Sequence, residues 1–387
     1  MASRPRNPFT PGFGKHPTIV VGRDEILADA REAFGDDWHP TRKMLLQAHR
    51  GSGKTVLLDE IQDIATAAGW LVVQEDAGTR DTSISARLTT RLLSYLDEHD
   101  PDARRRITGG SVSVLGIGAS VSTELSNDHD SPGGLRETLE AVLDLDDGRP
   151  TGVLLSIDEI HEASRDDVHA IGNAIQHLDR SSQPIGVLLA GLPPDADVEK
   201  EPTFLSRCHA PKIEILRDDE IEQGLIETAA TAGWVFDSDA LELAVNTTAG
   251  FPYMMQLVGW EATKVTRRRR EGTAITYGDV ALAVPEARRT LARSVLFHID
   301  KRLTPTEKEF LVAMAHDSGP SKMKDIRERM GQSPQYVNVY RNRLLDSGLI
   351  QQIRHGHVDF AVPGHRAELR ADVGYAAAQA SHSRRAT

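Results

Sequence analysis

The sequence predicts an α/β protein: a parallel sheet with helices on both faces, then a helical bundle and a C-terminal winged helix-turn-helix. Two changes of pattern along the chain and one alternation carry this reading. Short apolar runs at Met44–Leu46, Trp70–Val73, Val153–Ile157, Ile185–Ala190 and Lys212–Leu216 alternate with segments of helical period, the pattern of strands joined by crossover helices. From Asp218 to about Arg293 the apolar period is helical throughout, which separates an all-α unit from the sheet. Beyond Leu303, three helical patterns precede two short strands.

The sheet is organised around residues 42–55. Met44–Leu46 reads as a buried strand that breaks into Ala48-His49-Arg50-Gly51-Ser52-Gly53-Lys54-Thr55 and opens onto the helical pattern of Val56, Leu57, Leu58, Ile61 and Ile64. Gly51 and Gly53 let backbone N–H groups turn inward around an anion, and the following helix adds the positive end of its dipole. Lys54 then reaches outer phosphates and Thr55 ligates Mg²⁺. Ala48 stands where the phosphate-loop pattern G-x-x-x-x-G-K-[ST] has its first glycine, a mild replacement where φ stays negative. A second motif, Gly152-Val153-Leu154-Leu155-Ser156-Ile157-Asp158-Glu159, ends a strand in two carboxylates. In that place Asp158 holds Mg²⁺ and Glu159 polarises the attacking water.

Composition limits the alternatives. Cys208 is the single cysteine, so no intrachain disulfide forms and the chain suits a reducing cytoplasm. No apolar stretch approaches the roughly 20 residues that span a bilayer, and Met1–Gly14 lacks an apolar signal core. The net charge of −12 is unevenly placed: residues 301–387 carry 14 Lys+Arg against 9 Asp+Glu, a local +5 that leaves −17 on the rest. A basic module on an acidic body lets one end approach nucleic-acid phosphate.

The expected organisation is a disordered tail at 1–18, an α/β nucleotide-binding domain at 19–217, a helical lid at 218–300, a winged helix at 301–370 and a disordered tail at 371–387. Within the α/β part, Ile107–Thr123 alternates Ser, Val and Gly, which predicts a β-hairpin near 107–124. In the last module Thr304, Pro305 and Glu307 form a helix start with a capping box. A third helix capped by Ser333 turns Gln335, Asn338, Arg341 and Asn342 outward, and Arg354 sits at the tip of the following ribbon. Amide and guanidinium groups on such a helix can read base edges in the major groove of duplex DNA.

Taken in order, Val21-Gly22-Arg23, the phosphate loop, Asp158-Glu159, Ala190-Gly191-Leu192-Pro193, Ser206-Arg207, Gly250-Phe251-Pro252 and the winged helix resemble a bacterial AAA+ ATPase. The branch they are most similar to is the origin-recognition or archaeal-ATPase-like one, over about residues 17–370. The resemblance implies a P-loop NTPase fold, ATP and Mg²⁺ as cofactors and assembly into an oligomer. It also implies that Val21, Gly22 and Arg23 flank the adenine and that Arg207 acts as an arginine finger toward a neighbouring subunit. Nucleotide contacts are then expected from Val21, Gly22, Arg23, Arg50, Gly51, Ser52, Gly53, Lys54, Thr55 and Val56, and catalysis from Lys54, Asp158, Glu159 and Arg207. Two features depart from that family: Ala190-Gly191-Leu192 lacks the polar sensor after the fourth strand, and Gly250-Phe251-Pro252 replaces the sensor arginine of the lid. They favour slow turnover by an ATP-controlled switch on DNA, of initiator or transposition-helper type. A STAND-type signalling switch and a non-hydrolysing ATP-binding module remain the alternatives.

Overall fold

The computed structural model describes residues 5–12, 15–36, 39–48, 51–78, 82–109, 134–191, 204–269, 272–296, 303–347, 349–362 and 364–370. Four parallel strands, β1 (Lys43–Gln47), β2 (Leu71–Asp76), β3 (Val153–Asp158) and β4 (Ile185–Gly191), lie in the order β1-β4-β3-β2. Period-two alternation sends their side chains to two separate cores. Met44, Leu46, Leu154, Leu188 and Ala190 pack with Phe34 of α1 (Asp24–Gly35) and with Leu57, Leu58 and Ile61 of α2 (Lys54–Ala67). Leu45, Val153, Leu155, Ile157, Val187 and Leu189 pack against α3 (Ile84–His99), α5 (Leu135–Leu143) and α6 (Arg165–Arg180). Burial on both faces is why these strands read as unbroken apolar runs rather than as alternating ones.

The fifth strand expected at Lys212–Leu216 is reduced to two isolated parallel bridges beside β1, Met44–His209 and Gln47–Lys212. Ile215 is 60% exposed, so only one side of that segment has a surface to pack on. Of the hairpin expected near 107–124, residues 107–109 complete α4 (Pro101–Gly109) and the remainder lies outside the described residues.

Next come α7 (Asp218–Ala230), α8 (Ser238–Thr248), α9 (Pro252–Arg269) and α10 (Tyr277–Leu291), with a two-stranded parallel ribbon of β5 (Val235–Phe236) and β6 (Ala274–Ile275). The C-terminal part holds α11 (Pro305–Ala315), α12 (Met323–Met330) and α13 (Pro334–Asp346), and an antiparallel sheet in the order β7-β9-β8. Its strands are β7 (Ser321–Lys322), β8 (Ile350–Arg354) and β9 (His357–Phe360). Thr304 and Glu307 close the capping box at α11, and Ser333 Oγ accepts from the Tyr336 N–H at α13. One apolar cluster runs without interruption from the four-helix part into this module, including Leu291, Phe310, Leu311, Val337, Leu344 and Val358. Among the described residues no helix is long and apolar enough to cross a membrane.

Residues 5–12, expected as part of a disordered tail, instead form a strap across the helical bundle. Phe9 is fully buried and meets Phe236 edge-on, with ring centroids 6.5 Å apart. Gly259 on α9 makes the room, since a Cβ there would lie 2.3 Å from Phe9 Cε1. The Thr10 N–H donates to Gln256 Oε1 (3.0 Å), Asn7 Nδ2 to the Trp260 carbonyl (2.9 Å) and Trp234 Nε1 to the Arg6 carbonyl (2.9 Å). A lone aromatic in an aperiodic segment carries no periodic signal, yet its burial offsets the cost of ordering its neighbours. Phe9→Ala should lower the unfolding free energy by about 3–4 kcal/mol, seen as a reduced midpoint in urea denaturation.

Candidate phosphate-binding site

Parallel strands deliver their C-terminal ends to one edge of the sheet, where ligands of open α/β folds gather. At that edge β1 leads into the glycine loop and β3 delivers Asp158. Gly51 (φ 81°) and Gly53 (φ 86°) are left-handed, and Gly53 is the N-cap from which α2 begins at Lys54. Lys54 is buried, with Nζ 3.6 Å from Asp158 Oδ1 and 3.7 Å from Glu159 Oε2. Thr55 Oγ1 donates to Asp158 Oδ2 at 3.4 Å, and Asp158 Oδ1 accepts the Glu159 N–H at 2.7 Å. Gln62 Nε2 donates to Ser156 Oγ (2.8 Å) and so ties α2 to β3 behind the site. The structure thus brings Gly51, Gly53, Lys54, Thr55, Asp158 and Glu159 together around one small volume. Ser52 is buried in the same loop, Val56 continues α2, and Arg50 lies outside the described residues.

Glu159 itself has φ 53°, an uncommon conformation for a side chain with a Cβ. It starts a single 3₁₀ turn, Ile160–Glu162, that carries His161. His161 was not among the residues singled out from sequence; its signal is the Asp-Glu-x-His spacing at 158–161. Its Nδ1 lies 3.4 Å from Glu159 Oε2.

Of the three residues expected at the adenine, Arg23 is bonded to the glycine loop. Its side chain is buried and donates to the carbonyls of Gly22 (2.8 Å), Ser52 (3.3 Å) and Glu214 (2.9 Å). Desolvation lowers the pKa of this guanidinium, and the nearby Glu220 carboxylate raises it in part. Through the Ser52 and Glu214 carbonyls it clamps the glycine loop to the segment at Glu214. Val21 is buried in the core of the helical bundle, where its Cγ2 lies 3.1 Å from a Cβ built on Gly224. Gly22 (φ 65°) faces Leu216 and Glu220, both under 3 Å from its own would-be Cβ.

The bundle touches the loop directly. At the turn between α8 and α9, Ala249 (φ 49°) and Gly250 (φ 76°) are successive left-handed residues. They turn Phe251 and Pro252 onto the loop. Phe251 Cε1 and Cζ lie 2.5 Å from the Cβ position of Gly51, and Pro252 lies 3.9 Å from that of Gly53. The Leu216 N–H donates to the Gly250 carbonyl (2.8 Å), which joins this turn to the segment whose Glu214 carbonyl Arg23 holds.

Arg207 is exposed on a 3₁₀ turn, Leu205–Arg207. Beside it, burial pushes the Cys208 thiol up to about 11, which leaves it unreactive at neutral pH. In the C-terminal module Gln335, Asn338 and Arg354 are exposed, and Asn342 and Arg341 half-buried. Arg341 donates to Asn342 Oδ1 (3.2 Å) and to Gln352 of the hairpin, and Arg354 Nη2 lies 3.2 Å from His357 Nε2.

Residues 19–189 match the family model described as the AAA ATPase domain, and residues 297–367 match one described as a domain of unknown function. No curated protein matches the chain. Among solved structures, the Walker-type ATPase of Pyrococcus abyssi is 16% identical with a TM-score of 0.61, over 95% of this chain and 98% of that one. Cdc6p from Pyrobaculum aerophilum is 14% identical (TM-score 0.48, over 94% and 97%). The RuvB Holliday junction branch migration motor of Thermotoga maritima is likewise 14% identical (TM-score 0.47, over 90% and 95%).

The Arg23 clamp gives a direct prediction. Arg23→Ala strands three carbonyls and should cost about 2–3 kcal/mol in urea denaturation. Arg23→Lys should recover only part of that loss, because one ammonium cannot reproduce the planar fork.

Proposed function

We propose that this chain, whose fold is that of the P-loop AAA+ ATPases, is an ATP-hydrolysing switch that couples nucleotide state to duplex DNA through a C-terminal winged helix. The observation that carries the reading is the convergence of Lys54, Thr55, Asp158 and Glu159 beside a left-handed glycine loop. Backbone N–H groups of residues 51–55 would hold the phosphates, with Lys54 on the outer ones. Thr55 and Asp158 present hard oxygen donors 3.4 Å apart, a set that suits Mg²⁺; when bound, that ion neutralises charge across the phosphates. Glu159 would orient the attacking water and take its proton. Arg207, exposed on its turn, would reach the nucleotide of a neighbouring subunit in an oligomer.

Ligand entry is coupled to the helical bundle because Phe251 and Pro252 rest on the same loop that receives the phosphates. Nucleotide would shift the bundle in proportion to its differential affinity for the two positions. For the DNA end, support comes from the exposed Gln335 and Asn338, the Arg341–Gln352 pair between helix and hairpin, the Arg354–His357 pair across the hairpin, and the local positive charge. A second reading is favoured by one observation: the apolar cluster that runs unbroken from the bundle into the C-terminal module. Such packing suits a STAND-type signalling switch in which that module reports nucleotide state to a protein.

ATP turnover by the purified protein, with and without duplex DNA, separates the two. We expect slow hydrolysis, stimulated by DNA, abolished by Lys54→Ala and reduced at least about 100-fold by Glu159→Gln. DNA affinity should fall steeply with added salt. Hydrolysis indifferent to DNA with no salt-dependent binding would select the signalling reading.

A further inference from the structure

We propose that His161 is a positioning residue for hydrolysis, restraining the Glu159 carboxylate from one side while Lys54 restrains it from the other. The inference rests on the hydrolytic reading of the site given above. Glu159 Oε2 is buried and accepts no hydrogen bond, an expensive state for a carboxylate oxygen. The polar side-chain atoms beside it are Lys54 Nζ at 3.7 Å and His161 Nδ1 at 3.4 Å. The two approach from different elements, the start of α2 and the 3₁₀ turn after β3.

Two local features place the imidazole there. The left-handed backbone at Glu159 (φ 53°) doubles the chain back, so the residue two positions later stands beside the carboxylate. At the end of β4, Gly191 has no side chain, and the turn fills that space: a Cβ on Gly191 would lie 2.9 Å from Ile160 Cγ2 and 3.5 Å from His161 Nδ1. The polar atom next to the catalytic edge of β4 is therefore supplied by the loop after β3. Glu162 Oε1 lies 3.7 Å from Nε2 on the far side of the ring, leaving Nδ1 turned toward Glu159. A conformation this costly for a non-glycine residue persists where its surroundings over-determine it, which is frequent at functional sites.

The geometry makes a specific demand on substitutions, because the atom at work is Nδ1. An asparagine amide can take the place of Nδ1, whereas a glutamine amide falls where Nε2 was. We expect His161→Ala to lower kcat by about tenfold or more through loss of Glu159 alignment, with the Kd for a fluorescent Mg-ATP analogue and the thermal midpoint unchanged. His161→Asn should return kcat to within about threefold of wild type and His161→Gln should not. In a Glu159→Gln background, His161→Ala should have no further effect, the non-additivity expected of residues acting as a unit. The proposal is overturned if His161→Ala keeps wild-type kcat, if the two losses multiply in the double variant, or if nucleotide affinity and stability fall together and asparagine restores neither. Wild-type protein that fails to hydrolyse ATP, or a Glu159→Gln variant as active as wild type, would overturn the hydrolytic reading itself and this proposal with it.

Discussion

The contact between the ring of Phe251 and the backbone of Gly51 sets the geometry of everything around it. Only a residue without a Cβ lets an aromatic ring approach the loop so closely, and only a left-handed pair at Ala249-Gly250 aims the ring there. From that contact a closed circuit of short links can be traced. Ser52 is held by Arg23, Arg23 by the Glu214 carbonyl, and two residues on Leu216 bonds to Gly250, the residue before Phe251. A displacement anywhere on the circuit is felt at the loop, since packed interiors do not deform continuously.

The sheet supplies the fixed frame for this circuit. Its two cores draw on alternate residues of the same strands, so the C-terminal ends of β1 and β3 cannot slide relative to one another without exposing one core. Lys54 and Asp158 therefore meet as a consequence of register. The N-terminal segment adds a second link between bundle and α2. Phe9 is seated deep in the helical bundle, and His16, a few residues later, lies 3.7 Å from both Asp59 and Glu60 on α2. One short segment thus spans from the bundle to the helix that carries the phosphate loop.

Much of this was legible in the sequence because it rests on local pattern. The apolar runs at 44–46 and 153–157 predicted buried strands, and Gly51, Gly53, Lys54, Thr55, Asp158 and Glu159 form a spacing with its own mechanics. Thr304, Pro305 and Glu307 announced α11, and Ser333 announced α13. What was not legible depends on contacts distant in sequence. Nothing in residues 1–18 marked Phe9 as core, because its partners, Phe236 and Gly259, lie more than 200 positions away. Arg23 was expected at the adenine through the family resemblance of Val21-Gly22-Arg23, and its three carbonyl acceptors become visible only once Ser52 and Glu214 are adjacent. Lys212–Leu216 had a strand's composition, but the exposure of Ile215 shows that the far side of the segment lacked a second layer to cover it. His161 was hidden for a simpler reason: its role depends on the backbone angle of the residue two places before it.

The proposed coupling of nucleotide to the helical bundle runs through the contact of Phe251 with the loop at Gly51. Spin labels at Arg180→Cys on α6 and Glu222→Cys on α7, in a Cys208→Ser background, would report the distance between sheet and bundle by double electron–electron resonance. Saturating Mg-ATP should shift the distance distribution, and Lys54→Ala should abolish the shift. An unchanged distribution in protein shown to have nucleotide bound would contradict that coupling.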